Sequence, residues 1–178
     1  RGMASSEVTR QDPASLGTLA ASFLVRDDGP RIAMLETEGW DTHSGQAGRM
    51  ASQLKGLDAL LGALRTDLGD TWARTTVLVA TEFGRTAAAN GTGGTDHGTG
   101  AVALLLGGRV QGGRVLADWP GLDTPALLDG RDLRPTLGLD ALIARAAAES
   151  FGLDPERLGR QLFARGAVAQ PLREPLLR

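Results

Sequence analysis

Thr75-Thr76-Val77-Leu78-Val79-Ala80-Thr81, running straight into Glu82-Phe83-Gly84-Arg85-Thr86, is the stretch on which the fold turns. Its β-branched and apolar side chains occupy consecutive positions, so both faces of the segment favour burial. A strand buried on both faces belongs to a sheet covered by helices. Upstream, Met50, Leu54, Leu57, Leu61, Leu64 and Leu68 recur at helical spacing between Gly45 and Leu68, a long amphipathic helix ended by Gly69-Asp70. Before that helix, Arg31-Ile32-Ala33-Met34-Leu35 has the length and composition of another buried strand. Downstream, Ala101-Val102-Ala103-Leu104-Leu105-Leu106 makes a third, and Arg109 to Val115 reads as a hairpin around Gly112-Gly113.

Strand, helix, strand, loop, strand predicts an α/β fold with a mainly parallel sheet sandwiched by helices. Asp12-Pro13 opens a first helix carrying Leu16, Leu19, Ala20, Phe23 and Leu24, and Asp27-Asp28-Gly29-Pro30 breaks it. Two more helices are expected, over Leu139–Phe151 and Pro155–Phe163. The organisation is then a polar N-terminal segment (1–13), one α/β domain (14–163) and an extended or mobile tail (164–178) holding Pro171 and Pro175.

With 178 residues the chain is about one ordinary domain. Lys+Arg 19 against Asp+Glu 21 leaves no electrostatic case for nucleic acid or an anionic membrane surface. Cysteine is absent, which removes disulfides, thiolate nucleophiles and Cys-type zinc sites. No apolar run approaches the roughly 18 residues of a membrane span, and the opening Arg1-Gly2-Met3-Ala4-Ser5 does not read as a signal peptide. A start at Arg1 suggests a fragment or a processed product.

The only two histidines each sit beside an aspartate in a loop at a strand edge: Asp41-Thr42-His43 and Asp96-His97-Gly98. Loops converge at the carboxyl ends of strands in an open sheet. Asp41 and His43 would follow one strand, Glu82 would end the next, and the loop from Asn90 would bring Asp96 and His97 back. Carboxylates with neutral imidazoles suit zinc, manganese or iron better than calcium. Such a site could lower the pKa of a water or polarise a phosphoryl oxygen, and Arg85 could orient an anionic small molecule or ester substrate. Each motif has a plain alternative: a turn for either histidine loop, a cap or an Arg85 partner for Glu82, core packing for Trp40. Asn90-Gly91-Thr92-Gly93-Gly94-Thr95 lacks a P-loop lysine and precedes a strand, so its glycines serve close backbone approach or mobility.

Gly39-Trp40-Asp41-Thr42-His43, Glu82-Phe83-Gly84-Arg85-Thr86, Asn90-Gly91, Gly94-Thr95-Asp96-His97-Gly98, Leu106-Gly107-Gly108 and Gly112-Gly113, in that order, resemble the bacterial family domain of unknown function 1501, in its C-terminal half, over roughly residues 14 to 163. That family is similar to the alkaline phosphatase and sulfatase superfamily of metal-dependent hydrolases. The resemblance implies an alkaline-phosphatase-like αβα sandwich, possessed here in partial form. It implies Asp41 and His43 as a ligand pair for zinc or manganese, with His97 as a later ligand beside Asp96. Glu82 would stand where relatives place an aspartate followed by a histidine, and Phe83 replaces that second ligand. The nucleophile of such enzymes lies in an N-terminal half, and full-length relatives are expected to be exported. Three readings follow: a phosphate or sulfate ester hydrolase-like domain inactive as this chain, a non-catalytic binding or assembly module of the envelope, and a structural remnant.

Overall fold

A computed structural model describes residues 12–163, 172 and 174–178. The chain is mixed α/β, in the order α1 (Pro13–Leu24), α2 (Gln46–Leu68), β1 (Thr76–Val79), β2 (Gly84–Arg85), β3 (His97–Gly98), β4 (Leu104–Gly107), α3 (Leu139–Phe151) and α4 (Pro155–Leu162). The described residues form two compact units. One runs to Asp41 and includes Ala47–Asp70; the other holds Thr42–Gln46 and the described residues from Thr71 onward.

All four helices begin and end close to where the sequence places them, because their signals are local. Asp12 caps α1 by accepting from the Ser15 amide at 3.0 Å, with Pro13 supplying a preset φ in the first turn. Asp154 does the same for α4 through the Arg157 amide at 2.7 Å. Gly152 ends α3 in the left-handed conformation, φ 67°.

In the first unit α1 crosses α2 at close range. A Cβ on Gly17 would lie 2.3 Å from the Leu60 carbonyl oxygen, so only glycine fits there. The stripe that α2 buries is Leu60, Leu64 and Leu68, while Leu54, expected within it, is exposed. Small residues make the crossing: Gly17, Ala20 and Ala21 are the buried ones of α1, leaving Leu19 and Phe23 exposed.

The sheet corrects the sequence reading. Every strand pair among the described residues is antiparallel. β1 pairs with β4 in the register Thr76–Gly107, Val77–Leu106, Leu78–Leu105 and Val79–Leu104, and β2 pairs with β3. The apolar run of β1 was compatible with either direction; the loop between β1 and β4 returns the chain alongside β1 in the opposite sense. Arg31–Leu35 is no strand. It pairs with none among the described residues, and Ile32 and Met34 are 73% and 90% exposed. The expected hairpin at Gly112-Gly113 is absent because Arg109 to Gln111 pairs elsewhere. Val110 bridges Leu177, the Gln111 amide donates to the Leu176 carbonyl at 2.8 Å, and the Arg178 amide donates to the Arg109 carbonyl at 2.8 Å.

The core of the second unit therefore includes the chain's last residues. Leu142, Ala146, Leu176 and Leu177 are buried together, with Leu78, Leu105 and Val110 packed against them. Glu149 secures that end: one carboxylate oxygen accepts from the Leu176 and Leu177 amides at 3.0 and 2.7 Å, and the other accepts from Arg145. Residues 164–171 and 173 of the expected tail lie outside the described residues.

Candidate metal centre

Thr42 organises the first histidine loop. It is fully buried, and its hydroxyl donates to Gln46 Oε1 at 3.0 Å. The same oxygen accepts from the Thr95 hydroxyl at 2.7 Å, tying the loop to the second histidine segment. Main-chain bonds complete the join: Gly45 N to Thr92 O at 3.1 Å, Gln46 N to Gly93 O at 2.9 Å and Thr95 N to Thr42 O at 3.3 Å. Gly94 makes this approach sterically feasible, since a Cβ there would lie 2.2 Å from the His43 carbonyl carbon and 2.3 Å from its oxygen.

β2 and β3 carry the other side of the site. Arg85 stands opposite His97 in their register, and the paired glycines let the strands close, since a Cβ on Gly98 would lie 2.6 Å from the Arg85 carbonyl carbon. Phe83 stacks on the His97 ring with centroids 4.3 Å apart and planes at 16°, and the His43 and His97 centroids are 4.9 Å apart. The His97 ring is therefore held by packing as well as by its backbone.

Asp41, two residues before His43, completes a donor group. One ligand atom from each of Asp41, His43 and His97 lies within 4.8 Å of the others, and all three residues are exposed. Two imidazoles and one carboxylate are a donor set suited to a borderline divalent ion, and leave open coordination positions. Neither Glu82 nor Asp96 belongs to that group. Glu82 lies in the exposed loop beyond β1. Asp96 lies beside the group: its Oδ1 is 3.1 Å from His43 Nδ1 and accepts from Asn90 Nδ2 at 3.0 Å. Those two bonds, Asn90's the larger and His43's the second, hold the Asp96 carboxyl below its usual value, and Arg131 adds a weak positive field.

Arg85 is engaged with the scaffold. Its Nη1 donates to the Thr95 carbonyl at 2.6 Å and its guanidinium lies over Phe83, 4.8 Å from the ring centroid. Trp40 is half-buried and its indole N–H donates to the Thr37 hydroxyl at 2.8 Å.

Besides Gln46, three participants were missed in the sequence. Asn90 bonds five times through its side chain: Nδ2 donates to the His43 carbonyl at 2.9 Å and to Asp96, while Oδ1 accepts from Thr92 N, Thr92 Oγ1 and Gly94 N at 3.0, 2.9 and 3.1 Å. Arg131 Nη2 donates to the His97 carbonyl at 2.7 Å. Thr42, the third, gave no signal beyond its place between two candidate ligands. Asn90 had a weak one, an amide opening a glycine-rich turn, where such side chains bond backbone groups nearby.

A mixed α/β domain with an exposed Asp–His–His cluster at two joined loops is the class that this fold and site define. The chain belongs to the family described as protein of unknown function (DUF1501), which matches residues 2–162. No curated protein and no solved structure matches it.

Proposed function

We propose that this domain binds one divalent cation, zinc or manganese, through Asp41, His43 and His97, as a relative of the phosphate and sulfate ester hydrolases. The observation that supports this reading is the convergence of the chain's only two histidines with Asp41 within 4.8 Å. When bound, the ion would supply Lewis acidity, lowering the pKa of a water and stabilising negative charge on an ester oxygen. The chain's own part is to hold three donors on a scaffold locked by Gln46, Gly94 and the Phe83 stack.

The reading is a binding site in advance of a catalytic one. Two hydroxyls bonded into this network are committed: Thr92 Oγ1 lies between two carbonyl oxygens, that of His43 at 2.6 Å and Asn90 Oδ1 at 2.9 Å, and Thr86 Oγ1 donates to the Ala88 carbonyl at 3.0 Å. A hydroxyl that gives its proton to a carbonyl has no base to activate it. The test is thermal unfolding with and without zinc or manganese. An ion at a hundred times its dissociation constant adds about 2.7 kcal/mol, a rise of roughly 5–10 °C for a chain of this size. His97→Ala should lose most of that rise. Equal rises in both proteins would place the ion elsewhere and refute the assignment.

A further inference from the structure

Asp96 stands next to both histidines in sequence or space yet outside the donor group, and its bonds state its role. An ionised carboxylate can only accept, so the 3.1 Å contact between Asp96 Oδ1 and His43 Nδ1 makes Nδ1 the protonated nitrogen of that ring. The lone pair of His43 is then on Nε2. Asp96 is itself fixed at the same oxygen by Asn90 Nδ2, which also holds the His43 carbonyl. The ring is gripped at its backbone and at Nδ1 by one connected pair of residues. His43 and Asp96 are about half exposed, with 47% and 54% of their side chains accessible. As an ion pair this contact is weak at the surface; its value is orientation and choice of tautomer.

We propose that Asp96 is a positioning residue for the metal centre: supported by Asn90, it fixes the His43 tautomer and ring so that Nε2 is the atom presented to the cation. This inference rests on the metal reading above, and it assigns Asp96 a place behind a ligand. Carboxylates that orient a ligating imidazole typically contribute 10- to 100-fold to metal affinity.

Cobalt(II), added to the 178-residue chain in place of zinc, reports on both affinity and donor set through its visible absorption. Asp96→Asn is nearly isosteric and removes the charge at Nδ1. Asn90→Asp keeps the acceptor for Thr92 and Gly94 while removing the donor to Asp96 and His43. Both variants should bind cobalt 10- to 100-fold more weakly with the saturated band envelope of wild type. Asp96→Asn should leave the metal-free melting temperature unchanged, whereas Asn90→Asp, which sets a second carboxylate against Asp96 and the His43 carbonyl, should lower it. A merely structural role for Asp96 would lower the metal-free melting temperature of Asp96→Asn and spare affinity in the folded protein. A changed band envelope in saturated Asp96→Asn would make Asp96 a ligand and overturn the proposal. So would wild-type affinity in both variants. Failure of wild type to bind cobalt or zinc at all would instead overturn the metal reading, and this inference with it.

Discussion

Gly94→Ala puts the join between the two histidine loops under direct strain. The added Cβ would sit 2.2 Å from the His43 carbonyl carbon, 2.3 Å from its oxygen and 2.5 Å from the Thr42 oxygen, all of them backbone atoms. Ordinary contact begins at 3.4 Å, so one segment must retreat by 3.4 − 2.2 = 1.2 Å. Overpacking of this kind costs about 1–3 kcal/mol. The retreat also stretches the Thr95 N to Thr42 O bond, already 3.3 Å, whose loss costs about 1 kcal/mol more. The expected destabilisation is therefore about 2–4 kcal/mol. Metal binding should suffer further, because ligand distances tolerate only about ±0.2 Å, and a shift of His43 against His97 should weaken zinc at least roughly tenfold. Gly91→Ala is the control: it lies in the same loop, meets nothing within 4 Å and has no positive φ. Urea unfolding followed by tryptophan fluorescence gives the stability difference, and calorimetric titration with zinc gives the affinity. If Gly94→Ala matched Gly91→Ala within about 0.5 kcal/mol and bound zinc equally well, the close approach of these loops would be wrong.

Leu177→Ala should destabilise the chain by about 2–5 kcal/mol in the same urea assay, since Leu177 is buried among Leu142, Ala146 and Leu176; a loss under about 0.5 kcal/mol would mean that the chain's end does not pack there. In release of nitrophenol from aryl phosphate and aryl sulfate, the chain should show no turnover above an Asp41→Ala background, with or without zinc or manganese, because a positioned nucleophile and metal act as a unit. Metal-dependent turnover well above that background would show a self-sufficient hydrolytic site.

The helices were legible because a cap, a proline or a terminal glycine acts within a few residues. Asp12-Pro13, Asp154-Pro155 and Gly152 all work where they stand in the sequence. β1 was legible for its β-branched run, but strand direction was not, because a buried strand looks alike in parallel and antiparallel sheets. Arg31–Leu35 shows the limit clearly. Strand propensity describes a fit to a pleated, half-buried surface, and these residues meet no such surface among the described segments. The segment around Gly112-Gly113 failed differently: Arg109 to Gln111 pairs with residues more than sixty positions away, which no local pattern encodes.

At the site, the meeting of His43 with His97 was expected from their shared setting at loop edges, and the structure brings them together with Asp41. Glu82 was expected there and is not part of that donor group. Asp96 and His97 are adjacent in sequence, yet one accepts from His43 Nδ1 and the other stacks on Phe83. Neighbours in an extended segment point in opposite directions, so adjacency could not say which residue is a donor to the ion. The sequence alone does not single out Asn90, since an amide that bonds five ways depends on partners from two separated loops.

Elemental analysis after equilibrium dialysis tests the metal claim most directly. Protein prepared without chelator or a His-tag would be dialysed against zinc or manganese and then against metal-free buffer, beside Asp41→Ala, His43→Ala and His97→Ala. Asp41, His43 and His97 form one donor group among the described residues, so the wild-type chain should retain one ion. Each variant should retain far less than one. Wild-type protein that kept no more metal than the three variants would contradict the account.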